Sequence, residues 1–211
     1  LDVVFNHAGT SDNILWSIAR ESYFKGDTTW GAMIHFAHPQ AIHFFEQNLI
    51  YFTEKFRIDG FRFDATDAIV HSDKSGDNIR LPGSGHGWEF LQKMRVAAHA
   101  ANPRCILIAE QLPNEWQLTR FGGSMDSQWC DSFHDRLVEA CQGKYVMSGL
   151  ADALKTTQTQ CNQWHECTNY PESHDEVGNT NQRVAGMNVG GLGQGYRRNK
   201  IAAAATLLSR G

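Results

Sequence analysis

At 211 residues the chain is long enough for one domain with a sizeable core, and 41% hydrophobic with 20% charged residues is an ordinary globular composition. A net charge of −4 with no cluster of Lys and Arg excludes nucleic acid as a partner, and no apolar run approaches bilayer length, so no membrane partner is expected. Five cysteines without C-x-x-C spacing predict neither a disulfide framework nor a zinc site; reduced, partly buried thiols and a cytoplasmic location are the expectation.

Both ends fall inside regular-looking sequence. The chain starts at Leu1 within an apolar run (Val3, Val4, Phe5) and stops after the helix-like Ile201 to Leu208. A single domain over residues 1–211, truncated at both ends, is the expectation, so the absence of a signal peptide carries no information.

Taken in chain order, Leu1 to Asn6 is strand-like, and a loop leads to a helix opened by Pro39, with Ile42, Phe45, Leu49, Phe52 and Phe56 on one face. Ile58 to Asp64 reads as a strand. The Gly- and Ser-rich stretch Ser72 to Gly87 reads as a loop. Trp88, Leu91, Met94 and Ala98 predict a helix that stops before Asn102-Pro103, where proline bars continuation. A strand from Cys105 to Glu110 follows, then a weaker one around Ser127 to Phe133, a helix from about His134 to Cys141 and another around Leu150 to Thr157. The last strand ends near Asp175 and the last helix covers about Arg198 to Ser209. Each interval between strands can hold a helical crossover, which makes the strands parallel. The pattern predicts an α/β fold, a partial (β/α)8 TIM barrel with about five of the eight units of a closed barrel.

Three of the strand-like runs end in acids: Asp64, Glu110 and Asp175. An ionised carboxylate resists burial unless it is paired or hydrogen-bonded, so an acid closing a buried strand is poor core design. It suits a barrel enzyme, whose catalytic groups project from the carboxyl ends of several strands. Arg62 lies two residues before Asp64, so strand alternation puts both on one face, where a permanent cation keeps Asp64 ionised. Glu110 follows the apolar Ile106-Leu107-Ile108-Ala109, and desolvation favours the protonated form that a general acid needs.

The segments Asp2-Val3-Val4-Phe5-Asn6-His7, Gly60-Phe61-Arg62-Phe63-Asp64, Ile108-Ala109-Glu110 and Ser173-His174-Asp175 resemble the four signature regions of glycoside hydrolase family 13, the α-amylase family, in order. The resemblance implies that Asp64 is the nucleophile, Glu110 the general acid/base and Asp175 the transition-state stabiliser. It places Asp2, His7, Arg62 and His174 in substrate binding and Asn6 in support, and makes the strands about strands 3 to 7 of the barrel; no metal site and no cofactor is expected. The short stretch between His7 and Pro39 is similar to branching enzymes and trehalose-releasing members, and Pro39 to Asp64 and Pro171 to Val177 are similar to branching enzymes. After Asp64 the chain reads Ala65-Thr66-Asp67, without the Lys-His pair of many α-amylases, and Gln111 stands where branching enzymes often carry an acid.

Other features have blander readings. Ser173-His174-Asp175 does not make a triad, because strand neighbours point to opposite faces. Gly190 to Gly195 lacks the G-x-G-x-x-G order after a strand and reads as a flexible loop. Trp16, Trp30, Trp88, Trp129 and Trp164 are expected mainly in the core, although each could stack on a sugar ring. The expectation is a retaining enzyme acting on α-1,4-glucosidic bonds of starch, glycogen or maltooligosaccharides, foremost a 1,4-α-glucan branching enzyme working by transglycosylation. An α-amylase or maltooligosyltrehalose trehalohydrolase type of hydrolase is the alternative. A non-catalytic glucan-binding or scaffold protein is the alternative from another class, and the full set of carboxylates argues against it.

Overall fold

The computed structural model describes residues 1–72, 85–120, 122–143, 146–161, 163–179, 183–186 and 192–211. They divide into two compact units, Leu1–Gln128 and Trp129–Gly211.

Along the first unit run β1 (Asp2–Val3), β2 (His7–Ala8), α1 (Ile14–Tyr23), β3 (Phe24–Thr28), β4 (Gly31–Ile34), α2 (Pro39–Phe56), β5 (Gly60–Phe63), α3 (Thr66–Val70), α4 (His86–Ala101), β6 (Ile106–Ala109) and β7 (Ser127–Trp129), whose last residue opens the second unit. The strands β1, β5, β6 and β7 are neighbours in that order and parallel, while β2, β4 and β3 form a small antiparallel sheet.

Helix α2 starts where His38 accepts the Gln40 amide at 3.3 Å ahead of Pro39, and it ends at Arg57 in a left-handed conformation. Its inward face is Ala41, Ile42, Phe45, Leu49 and Thr53. Helix α4 adds Trp88, Phe90, Leu91, Met94 and Ala98. Between them lies an aromatic core in which Phe45 meets Phe5 at 4.5 Å and Phe90 at 5.8 Å between ring centroids, and Phe5 meets Phe63 edge-on at 5.6 Å. Burying each such ring contributes roughly 1.5–3 kcal/mol. This packing fixes β5, and through it the residues that follow.

Register then sets the site. Phe63 on β5 is level with Ala109 on β6, and the Glu110 amide donates to the Phe63 carbonyl at 2.9 Å, so Asp64 and Glu110 leave the sheet side by side. The Asp64 amide donates to the Val3 carbonyl at 3.1 Å, which brings the end of β1 alongside.

The second unit holds α5 (Asp131–Cys141), α6 (Val146–Gln160), β8 (Cys167–Thr168), α7 (His174–Asn179) and α8 (Leu192–Leu208). Within it the Cys130 amide donates to the Thr168 carbonyl at 3.0 Å, and Phe133, Leu137 and Cys141 of α5 are buried. Among the described residues no helix is long and apolar enough to cross a membrane.

Several expectations are corrected. The stretch between His7 and Pro39 is not one loop: Asn13 caps α1 by accepting the Trp16 amide at 3.1 Å, and β3 and β4 follow. Phe56, expected on the buried face of α2, is exposed, because it lies in the last turn where the helix leaves the core. The loop expected to Gly87 ends at Gly85, residues 73–84 lying outside those described. Gly87 lies in α4, where any Cβ would collide with the Ile69 carbonyl oxygen of α3. Likewise α8 begins at Leu192 rather than near Arg198, with Gly195 allowing close approach to the Ala185 carbonyl; Gly190 and Gly191 lie outside the described residues. The strand around Ser127 to Phe133 stops at Trp129, and α5 starts three residues earlier than expected.

The thiols also divide differently. Cys161 and Cys167 are paired, with Cα atoms 6.4 Å apart, while Cys105, Cys130 and Cys141 are free and buried. Burial, helped by the Asp126 and Asp59 charges, pushes the Cys105 thiol up to about 11, and burial likewise pushes Cys130 up to about 11, so neither is a reactive thiolate.

Candidate active site

Six of the eight predicted residues meet at the ends of β1 and β5 and beside β6. Arg62 is buried within the sheet and reaches three acids: Nη2 lies 2.8 Å from Glu110 Oε1, while Nη1 lies 3.1 Å from Asp64 Oδ1 and 3.5 Å from Asp2 Oδ2. Asn6, fully buried, donates from Nδ2 to Asp64 Oδ2 at 2.9 Å and to the Asp64 carbonyl at 2.7 Å. Its other amide atom, Oδ1, is hydrogen-bonded with His7 Nδ1. Each oxygen of Asp64 thus has a donor, which restrains the carboxylate in both rotation and tilt.

Glu110 is as buried as its apolar strand predicted, with 9% of its side chain exposed against 24% for Asp64. It is not left bare. Oε1 faces Arg62, and Oε2 accepts the Ala65 amide at 2.7 Å. Two carboxylates of unequal exposure, joined through one guanidinium at adjacent strand ends, make a pair in which the more accessible one can attack and the more enclosed one can handle a proton.

Asp175 and His174 belong to the second unit and are described within it. Asp175 does not close a strand: β8 stops at Thr168, and His174 opens α7. The reason is a capping box over Ser173-His174-Asp175-Glu176, in which the Asp175 amide donates to Ser173 Oγ at 3.1 Å and the Ser173 amide donates back to Glu176 Oε2 at 2.8 Å. Ser173 Oγ also bonds Glu176 Oε2, so its hydroxyl is committed there and no triad forms with His174. Asp175 accepts from Asn179 at 3.2 Å and lies 3.4 Å from His174 Nε2, both side chains being well exposed. Glu176 was missed from sequence, although S/T-x-x-E ahead of a helix is a readable signature.

Burial would raise the Glu176 carboxyl, yet the Ser173 hydroxyl, backbone amides and the His134 charge together hold it below its ordinary value of 4.5. Because the folded carboxyl binds its proton less tightly than the unfolded one, its stabilising contribution is complete above about pH 4.5 and fades as pH falls through the folded value. Glu176→Ala therefore lowers stability at pH 7 by about 1 kcal/mol, the usual cost of a lost cap, and the gap closes in acid. Urea midpoints at the two pH values check this, and an equal gap at both would remove the charge from the account.

One group among the described residues could hold a metal ion: Asp131, His134 and Asp135 offer ligand atoms within 4.8 Å of one another, where sequence predicted no metal. His134 is already engaged, at 3.2 Å from Asp135, 3.9 Å from Glu176 and stacked on Tyr170 at 4.9 Å. Burial, reinforced by the Asp135 charge, raises the Asp131 carboxyl.

Of the tryptophans, only Trp88 is in the core. Trp16 lies under the Arg20 guanidinium at 4.1 Å, and Trp164 is exposed. Trp30, in the turn between β3 and β4, is 59% exposed, with its ring centroid 5.7 Å from that of His7. An open indole thus stands next to the Asn6–Asp64 arm of the site.

No family profile matches the chain. It is 30% identical over 168 residues to the malto-oligosyltrehalose trehalohydrolase of Saccharolobus solfataricus, covering 74% of this chain and 27% of that protein. To the 1,4-alpha-glucan branching enzyme GlgB of Leifsonia xyli it is 29% identical over 161 residues, covering 70% of this chain and 22% of the enzyme. The chain therefore spans about a quarter of the length of the curated relatives it matches. Its fold superposes over 100% of its length on 39% of a Salmonella typhimurium protein assigned as an alpha amylase, with a TM-score of 0.71 at 23% identity. Parallel strands alternating with helices, matched to part of such a protein, make this a partial (β/α)8 barrel. The chain belongs to the α-amylase family, glycoside hydrolase family 13.

Proposed function

We propose that the protein containing this chain is a retaining enzyme acting on α-1,4-glucosidic bonds, that residues 1–211 are part of its catalytic domain, and that its main activity is glucan branching by transglycosylation. The observation that carries the reading is the shared guanidinium: Asp64 and Glu110, on neighbouring parallel strands, both face Arg62. Asp64 attacks the anomeric carbon while Glu110 gives its proton to the departing glycosidic oxygen, leaving a glycosyl ester on Asp64. Glu110, now ionised, takes a proton from the incoming hydroxyl, which displaces Asp64. Asp175 offsets positive charge in the oxocarbenium-like transition state, and Asp2, His7, Arg62 and His174 serve the sugar. Trp30, exposed beside His7, offers a stacking face for a glucosyl ring.

Branching and hydrolysis share the ester and differ in what resolves it. A sugar hydroxyl held near the anomeric carbon has a high effective concentration and can outrun water. With the full-length protein and amylose, the expected result is loss of iodine colour with few new reducing ends, followed by new chain lengths after debranching. Reducing ends rising in step with the lost colour, without α-1,6 bonds, would assign a hydrolase instead, the reading favoured by likeness to a trehalohydrolase.

A further inference from the structure

The turn between β5 and α3 is built around Glu110. Ala65 donates its amide to Oε2 at 2.7 Å from a left-handed backbone, φ 38° and ψ 58°, which is uncommon for a residue bearing a Cβ. The next residue, Thr66, is fully buried. Its amide lies 2.9 Å and its hydroxyl 2.8 Å from the Glu110 carbonyl oxygen, and the same hydroxyl lies 2.8 Å from Oε1 of the fully buried Gln111. One hydroxyl thus lies within hydrogen-bond distance of two buried polar groups on the strand end that carries Glu110.

We propose that Thr66 is a positioning residue for Glu110: by tying the turn to the Glu110 and Gln111 backbone and side chain, it holds the Ala65 amide on the Glu110 carboxyl and so fixes the plane in which that carboxyl meets the substrate. This rests on Glu110 being the acid/base. Proton delivery to a leaving oxygen depends on that plane, and a displacement of about 1 Å can cost roughly a hundredfold in rate. Valine matches threonine in shape but removes the hydroxyl, leaving the buried Gln111 side-chain amide without this partner, so the turn relaxes. Serine keeps the hydroxyl.

The discriminating feature is the leaving group. Fluoride departs from α-maltosyl fluoride without being protonated, whereas a maltooligosaccharide bond needs the acid. First-turnover rates of the full-length protein and its Thr66→Val and Thr66→Ser variants are measured on both substrates, with melting temperatures alongside and Thr66→Ala in place of valine if that variant does not fold. For Thr66→Val the expected result is a roughly ten- to hundredfold loss on the maltooligosaccharide and less than about threefold on the fluoride, with Thr66→Ser within about threefold on both. Equal losses on the two substrates, an unchanged valine variant, or serine as impaired as valine overturns the positioning role. A wild-type protein inert on both substrates overturns the glycosidase reading itself.

Discussion

Asp64→Asn is expected to abolish turnover while the fold persists. The amide is nearly isosteric with the carboxylate but cannot attack the anomeric carbon, and loss of a covalent nucleophile costs about four powers of ten or more in kcat. A smaller cost in stability follows from the contacts. Asp64 accepts from Arg62 at one oxygen and from Asn6 Nδ2 at the other, so an asparagine must turn its own NH2 toward one of these donors. Asn6 cannot simply reverse its amide, since its Oδ1 is already hydrogen-bonded with His7. One buried hydrogen bond is therefore lost, worth about 1 kcal/mol. Measuring kcat on soluble starch together with the melting temperature separates the two effects. A variant that folds and keeps more than roughly a tenth of wild-type turnover removes Asp64 from the nucleophile's role.

How far the site was legible depended on whether chemistry followed strand periodicity. Arg62 and Asp64 were readable because alternation alone puts them on one face, and Glu110 because an acid closing Ile106 to Ala109 has no packing reason to be there. For Asp175 the backbone was misread: the strand expected to end there is a helix, because Glu176 closes a capping box on Ser173. Glycines misled in a consistent way. Gly87 and Gly195 read as loop residues, yet each lies in a helix pressed against a carbonyl of a neighbouring segment, a use of glycine that depends on a tertiary contact. The left-handed Ala65 left no trace at all, since alanine marks no turn; its conformation is imposed by the bonds around Glu110. The Cys161–Cys167 pair could not follow from an odd cysteine count, and β3 was hidden by the polar Lys25-Gly26-Asp27 and a register shift against β4.

Arg62→Met is expected to produce the largest loss of stability together with a loss of activity. The guanidinium is 7% exposed and faces Glu110 at 2.8 Å, with Asp64 at 3.1 Å and Asp2 at 3.5 Å, so its removal leaves a buried carboxylate without its cation. Breaking a buried pair from one side typically costs about 3–5 kcal/mol. The lower end applies, because Asp64 and especially Asp2 have water available and only Glu110 is enclosed. Lysine restores the charge, but its compact ammonium cannot span Asp64 and Glu110 as two separate Nη groups do. Arg62→Lys should therefore recover part of the melting temperature while turnover stays well below wild type, because the two carboxylates are no longer held in one geometry. Denaturant unfolding and kcat on the same three proteins read this directly. If lysine restores turnover in full, Arg62 acts only as a charge and its fork-like bridging of the two acids has no part in catalysis; if methionine leaves stability within about 1 kcal/mol of wild type, the buried ion cluster is not what holds the strand ends together.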